Sequence, residues 1–221
     1  MVSQMRARSE EAKEARRAEI LGQTLELWAQ ARYEDLTLQA VAQRVGLTKA
    51  ALYGYFPTKE SLFLSLYETL LSDFLDELQR HLRLGGRHTP RSLAALVAAL
   101  LAEHAPLTRL MPHLAGLLER NISETRAREH KHWLLGRLGP LSASLEAALP
   151  GLPAGGGVAL LTYTQALVAG LYPMSDPAPA VGAALQDPVL SPLCVQLDVA
   201  LPAALQALYR GLSASPDEQG T

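Results

Sequence analysis

Apolar side chains in this chain recur at intervals of three and four residues and almost nowhere at two, which confines it to helices packed on helices. The class is all-α, and the punctuation by glycine, proline and capping hydroxyls predicts about nine helices. With 48% hydrophobic and 19% charged residues in 221, the chain is too apolar for disorder; its length suits one domain plus a smaller module. The single cysteine, Cys194, excludes an intrachain disulfide and a cysteine-rich zinc finger and points to a reducing compartment. The longest apolar run, Leu93 to Ala102, falls short of the roughly 18–20 residues that cross a bilayer. Near the start, Arg6, Arg8, Lys13, Arg16 and Arg17 alternate with Glu10, Glu11 and Glu14 and lack the apolar stretch of a signal peptide. The expected location is therefore cytoplasmic.

The first helix is expected from about Ser9 to Gln30, with Ile20, Leu21, Thr24, Leu25 and Trp28 on one stripe. Thr37 is a suitable N-cap for a short helix to Arg44, with Leu38, Val41, Ala42 and Val45 inward and Gly46 as a left-handed stop. Thr48 caps a second short helix, Lys49–Tyr55, closed by Phe56-Pro57. A linking helix over 59–84 carries Leu62, Phe63, Leu66, Tyr67, Leu70, Phe74 and Leu78, and Gly85-Gly86 ends it. Beyond it the composition turns rich in leucine and alanine, marking a second helical domain over 85–221. Helices are expected from Thr89-Pro90 to His104, from Pro106 through Glu119, and from Ser123 to Leu149 with a kink at Gly139-Pro140. After a loop over 150–157, two more run from Val158 to Tyr172 and from Ser191-Pro192 through Tyr209, before a polar tail from Ser213.

The two short helices have the proportions of a helix-turn-helix over 37–56, whose second member would enter a DNA major groove. At about 100° per residue, Lys49, Ala50, Tyr53 and Gly54 share one side of that helix, while Leu52 and Phe56 lie on the other. A cation, a methyl, a phenol and a glycine facing outward suit phosphate pairing, contact with thymine methyls and close backbone approach. The net charge of −2 and a pI near 6.3 exclude a uniformly basic binder. Residues 1–60 hold nine Lys or Arg against eight Asp or Glu, so a DNA-binding face must arise by sorting charges onto one side.

The stretch Ile20–Leu66 resembles the TetR-type transcriptional regulators through Val41-Ala42, Gly46, Leu52-Tyr53, Tyr55-Phe56, Lys59 and Leu62 at that family's spacing. The resemblance covers the first third of the chain. It implies a three-helix DNA-binding domain over 1–58, continued by the linking helix, and a C-terminal domain that binds ligand and dimerises. It further implies DNA contacts from Thr37, Gln39, Thr48, Lys49, Ala50, Ala51 and Tyr53, with Tyr55 and Lys59 holding phosphates. The first turn of a helix also attracts anions at Lys59. Where the family commonly has glycine before the aromatic of the first turn, this chain has Arg32 before Tyr33, a place where a left-handed residue would be strained.

The expected activity is that of a ligand-responsive repressor of transcription, with no catalysis, no cofactor and no metal. Its partners would be a palindromic operator in double-stranded DNA, a small apolar effector and a second copy of the chain. A helical interaction module without DNA affinity and an all-α enzyme are the alternatives; no convergent cluster of titratable groups supports the latter. His130 and His132, two apart, fall on opposite sides of a helix and cannot jointly hold a metal. Cys194 is expected to be buried, and Gly155-Gly156-Gly157 reads as a linker. His104, Met111, His113, Trp133 and Tyr163, set among small residues, are the candidates for an apolar ligand cavity. The expected dimer seam pairs Leu160, Leu161, Leu167, Val168 and Leu171 with Val195, Val199, Leu201, Leu205 and Leu208.

Overall fold

The computed structural model describes residues 2–214, and among them are ten α-helices, one π-helical turn, one 3-10 segment and no strand. The side chains of residues 1–9, with Arg6 and Arg8 of the expected charged face, and the tail from residue 215 lie outside the described residues.

Helix α1 (Val2–Trp28) packs with α2 (Leu38–Arg44) and α3 (Lys49–Tyr53). Hydroxyl caps start both short helices: Thr37 accepts from the Ala40 amide and Thr48 from the Ala51 amide, each at 3.1 Å. Gly46 turns the chain between them at φ +66°, where a side chain would be strained. α3 stops two residues before the expected Tyr55, because Pro57 tightens the preceding turn and the amides of Tyr55 and Phe56 both reach back to the Leu52 carbonyl at 2.9 Å. Ile20, Leu38, Val41, Ala42, Val45, Leu52, Phe56 and Leu62 make a small core here.

Helix α4 (Lys59–Gly85) begins in a reciprocal cap between Thr58 and Ser61. Its Leu62 belongs to the small core, while Phe63, Leu66, Tyr67 and Phe74 enter a much larger one. That larger core also holds Trp28, Tyr33 and Leu36, so the end of α1 and the turn after it are packed into the body of the protein. The body continues with α5 (Pro90–Glu103), α6 (Ala105–Leu110), a π-helical turn (Leu114–Leu118), α7 (Glu124–Ala148) and α8 (Gly156–Ser175). It closes with α9 (Pro179–Ala184), the 3-10 segment (Pro188–Leu193) and α10 (Leu197–Ser213).

Several expectations are corrected. The helix expected from Pro106 through Glu119 is broken, since Pro112 has no amide hydrogen to bond back one turn, and the chain re-forms as the π turn. Ser191-Pro192 sits in the 3-10 segment and does not open the last helix. By length and composition Pro188–Ser213 would pass for a membrane span, beyond the run at Leu93. The chain interrupts it between the 3-10 segment and α10, and α10 buries Leu201, Leu205 and Tyr209 as it packs on α5 and α8. Cys194, expected to be buried, lies exposed at that interruption. Gly157 is more than a linker, because a Cβ there would stand 2.5 Å from the Ser142 backbone where α8 crosses α7.

Part of the expected dimer seam is turned inward by the same packing. Leu160, Leu161, Val168, Leu201 and Leu205 are buried within the single chain, because α8 and α10 first cover α7 and α5. Val199 of the expected seam does stand outward, and with it the outward faces carry Tyr163, Gly170 and Met174 on α8 and Ala203 and Ala207 on α10.

Candidate nucleic-acid interface and interior cavity

The outward face of α3 presents Lys49, Ala50, Ala51 and Tyr53, with Tyr53 43% exposed and the Lys49 ammonium 5.8 Å from its ring centroid. Gln39 is exposed on α2. Thr37 and Thr48 accept their capping bonds and keep their own hydroxyl hydrogens, which a phosphate oxygen can accept. Leu52 and Phe56 point into the small core, as the helical period requires.

This face is held by contacts that periodicity does not reveal. Arg16 of α1 donates to the Val45 carbonyl at 2.7 Å, and Arg17 donates to the Tyr55 carbonyl at 2.9 Å while lying 4.5 Å from the Phe56 ring centroid. Both guanidiniums meet helix C-terminal carbonyls that lack intrahelical partners. Tyr55 is half-buried beside the small core. Lys59 does not face outward: its ammonium donates to the Tyr33 carbonyl and sits 3.8 Å from the Tyr33 ring centroid. Burial lowers its pKa despite the nearby Glu34, Glu60 and Asp35 carboxylates. Arg32 needs no strained backbone, since among the described residues only glycines have positive φ.

In the body, a cavity of about 390 Å³ lies between α4, α7 and α8, with the stretch from Met111 to Glu119 along one side, and opens to solvent past Ala115, Lys131 and Thr162. Tyr67, Leu71, Phe74 and Leu75 of α4, Leu134 and Leu138 of α7, and Leu161 and Gln165 of α8 line it. Tyr67 donates to Gln165 Oε1 at 3.0 Å, and Gln165 Nε2 donates to the Met111 carbonyl at 3.1 Å. Burial, and then the Glu119 carboxylate, push the Tyr67 hydroxyl above the usual tyrosine range, so it stays a neutral donor.

Of the five residues expected around a ligand, Met111 lines this cavity and the other four are placed elsewhere. His104 is bonded to Glu77 at 2.9 Å and turns its ring edge to Phe74. His113 stacks on Tyr33 at 5.4 Å, where burial lowers its pKa. Trp133 stacks on His130 at 5.8 Å, and Tyr163 is 48% exposed. Tyr67, Gln165, Glu119 and Lys131 are not among the residues expected from the sequence. A glutamine within the apolar helix α8 is the signal that could have pointed to this cavity.

One polar seam crosses the interior beside the cavity. His130, fully buried, shares Nδ1 with Glu68 Oε1 at 2.9 Å, and Arg126 pairs with Glu68 Oε2 at 2.6 Å. Burial alone would raise the Glu68 pKa, but the hydrogen bonds from His130 and Arg126 outweigh it and hold the carboxyl below its ordinary value. Arg126 also reaches the Ser65 hydroxyl and borders a groove shared with Arg17 and Tyr55.

Residues 20–66 match the family described as bacterial regulatory proteins, tetR family, and residues 68–216 match the description tetracyclin repressor-like, C-terminal domain. No match is found among curated proteins. Among solved structures, the chain is similar to the TetR family repressor AlkX of Dietzia sp., implicated in biodegradation of n-alkanes, at 16% identity and a TM-score of 0.49, covering 89% of this chain and 94% of that one. A transcriptional regulator of Cytophaga hutchinsonii matches at 17% identity and a TM-score of 0.49, over 89% of this chain and 98% of that one. FadR of Bacillus subtilis, solved with stearoyl-CoA, matches at 17% and 0.46, over 88% and 98%.

Proposed function

Because the chain belongs to the tetR family of bacterial regulatory proteins, transcription regulators rather than enzymes, we propose that it is a homodimeric repressor released from its operator by a small molecule in the interior cavity. The DNA-reading unit is residues 1–58 with its helix-turn-helix at 37–56, the linking helix follows over 59–84, and residues 85–221 sense and dimerise. Gln39, Lys49, Ala50, Ala51 and Tyr53 meet bases or backbone, and Thr37, Thr48 and Tyr55 meet phosphates. Lys59 is left out of the phosphate set because its ammonium is engaged with Tyr33.

The observation that carries this reading is the continuity of α4. One unbroken helix contributes Leu62 to the core beneath the helix-turn-helix and Tyr67, Leu71, Phe74 and Leu75 to the cavity wall. A ligand that prefers a cavity shape with α4 displaced lowers operator affinity by that preference alone. A wider cleft of about 750 Å³ runs between α5 and the start of α10, but no residue of α4 lines it.

Dimerisation is assigned to the outward faces of α8 and α10. Ala203→Glu should give monomers by analytical ultracentrifugation with little change in thermal stability. Binding of the full chain to duplex DNA from upstream of its own coding region, followed by gel shift, tests the regulatory reading. A retarded complex is expected, and the absence of any sequence-preferring complex at micromolar protein would overturn it.

A further inference from the structure

The polar groups of the interior cavity are unevenly satisfied. Its hydroxyl hydrogens have partners already: Tyr67 donates to Gln165, Thr162 to the Val158 carbonyl at 2.8 Å, and Thr164 lies 2.8 Å from the Leu160 carbonyl and 2.9 Å from the Tyr209 hydroxyl. Gln165 Nε2 gives one of its two hydrogens to the Met111 carbonyl. The less exposed of the charged groups left with open capacity is the Glu119 carboxylate. Glu119 uses only Oε1, which receives the Lys131 ammonium and stands 3.7 Å from His130 Nε2. Its Oε2 accepts no hydrogen bond among the described residues. The Lys131 side chain is 58% exposed, so its ion pair competes with water and exchanges readily. On the inner side, His130 Nε2 is buried and has no hydrogen-bond partner, which leaves the Glu119 carboxylate under-served from both directions.

From this distribution we propose that the cavity takes an amphipathic amine, its ammonium on the open Glu119 Oε2 and its apolar body against Leu71, Phe74, Leu134 and Leu138. The inference rests on the cavity being the effector site. A carboxylate head would meet Glu119 as a like charge and gain the exposed Lys131 and one neutral Gln165 amide hydrogen; an alcohol would donate one neutral hydrogen bond. The ammonium gains a charge-assisted bond in a partly desolvated place. Capture at Glu119 also acts next to His130, and so next to Glu68 of α4, the helix that carries the DNA-reading unit.

Titration calorimetry of the full chain with decylamine and decanoate below their micellar concentrations, and with decanol below its solubility limit, tests the proposal. Decylamine is expected to bind about tenfold more tightly than decanoate, the order given by one charge-assisted hydrogen bond. Glu119→Gln should erase that preference. Lys131→Met, which removes the competing cation from an exposed position, should leave amine binding equal or tighter. Decanoate binding as well as the amine, or weaker amine binding in Lys131→Met, would overturn the inference while leaving the cavity as effector site. If none of the three probes binds, both the inference and the cavity reading fall.

Discussion

The unit formed by α2, α3 and the middle of α1 encloses eight buried apolar residues, one of them Leu62 from the start of α4, caps both of its short helices with threonine and closes their ends with Arg16 and Arg17. The body from α4 to α10 encloses a far larger core, yet it carries a π turn, a 3-10 segment, prolines inside α7, α8 and α10, and a cavity of about 390 Å³. Short helices are marginal by themselves, and a small core offers little burial to offset a poorly satisfied helix end, so local signals must be in place. Abundant packing lets the body tolerate irregular backbone and empty space. In a regulator this division is useful: the reading surface must hold its shape while the sensing region must admit a ligand.

The comparison is tested most severely by Leu205→Asp, which puts an unpaired carboxylate into the fully buried contact of α10 with the body. The expected loss is about 4 kcal/mol or more by chemical denaturation, enough to abolish the folded body. A folded but monomeric variant would instead return Leu205 to a subunit seam. Leu52→Ala removes a side chain from the small core and should cost about 3 kcal/mol, felt first in the unit that holds it. DNA binding should then be lost on heating while the helical signal of the body persists; coincident loss of both would erase the distinction between the regions.

Tyr53→Ala should weaken specific DNA binding by about 1–3 kcal/mol with the melting midpoint unchanged, since Leu52 and Phe56 keep α3 packed. An unchanged affinity would remove α3 from the reading role. The smallest effect is expected from Lys59→Ala, at about 1 kcal/mol of stability from its lost hydrogen bond and ring contact. The salt dependence of DNA binding should not change. A slope reduced by about one phosphate per subunit would restore Lys59 to the backbone-contacting set.

The parts of the molecule legible in the sequence are those whose causes are local. Thr37, Thr48, Thr58 and Thr89 each mark a helix start by a cap that acts three residues away, and the outward face of α3 follows from helical period alone. The position of Lys59 is not legible, because the group that draws it inward, the Tyr33 carbonyl, lies 26 residues earlier in a turn whose position depends on the whole body. His104 and His113 escape sequence reasoning for the same reason, since Glu77 and Tyr33 come to them only through tertiary packing. Leu205 illustrates the limit of amphipathic patterning: an apolar stripe shows that a face is covered, and nothing in the stripe says whether by the same chain or another.

Selection of bound duplexes from a random-sequence pool by the full chain measures the central claim with no operator assumed. Two α3 helices carried by a two-fold dimer should enrich an inverted repeat whose half-sites are centred about one helical turn, roughly 10 base pairs, or a multiple of it apart. The same selection with Tyr53→Ala should recover that repeat weakly or not at all. Recovery of no preferred sequence, or of an unrepeated sequence indifferent to Tyr53, would contradict the assignment of α3 as the DNA-reading helix of a symmetric regulator.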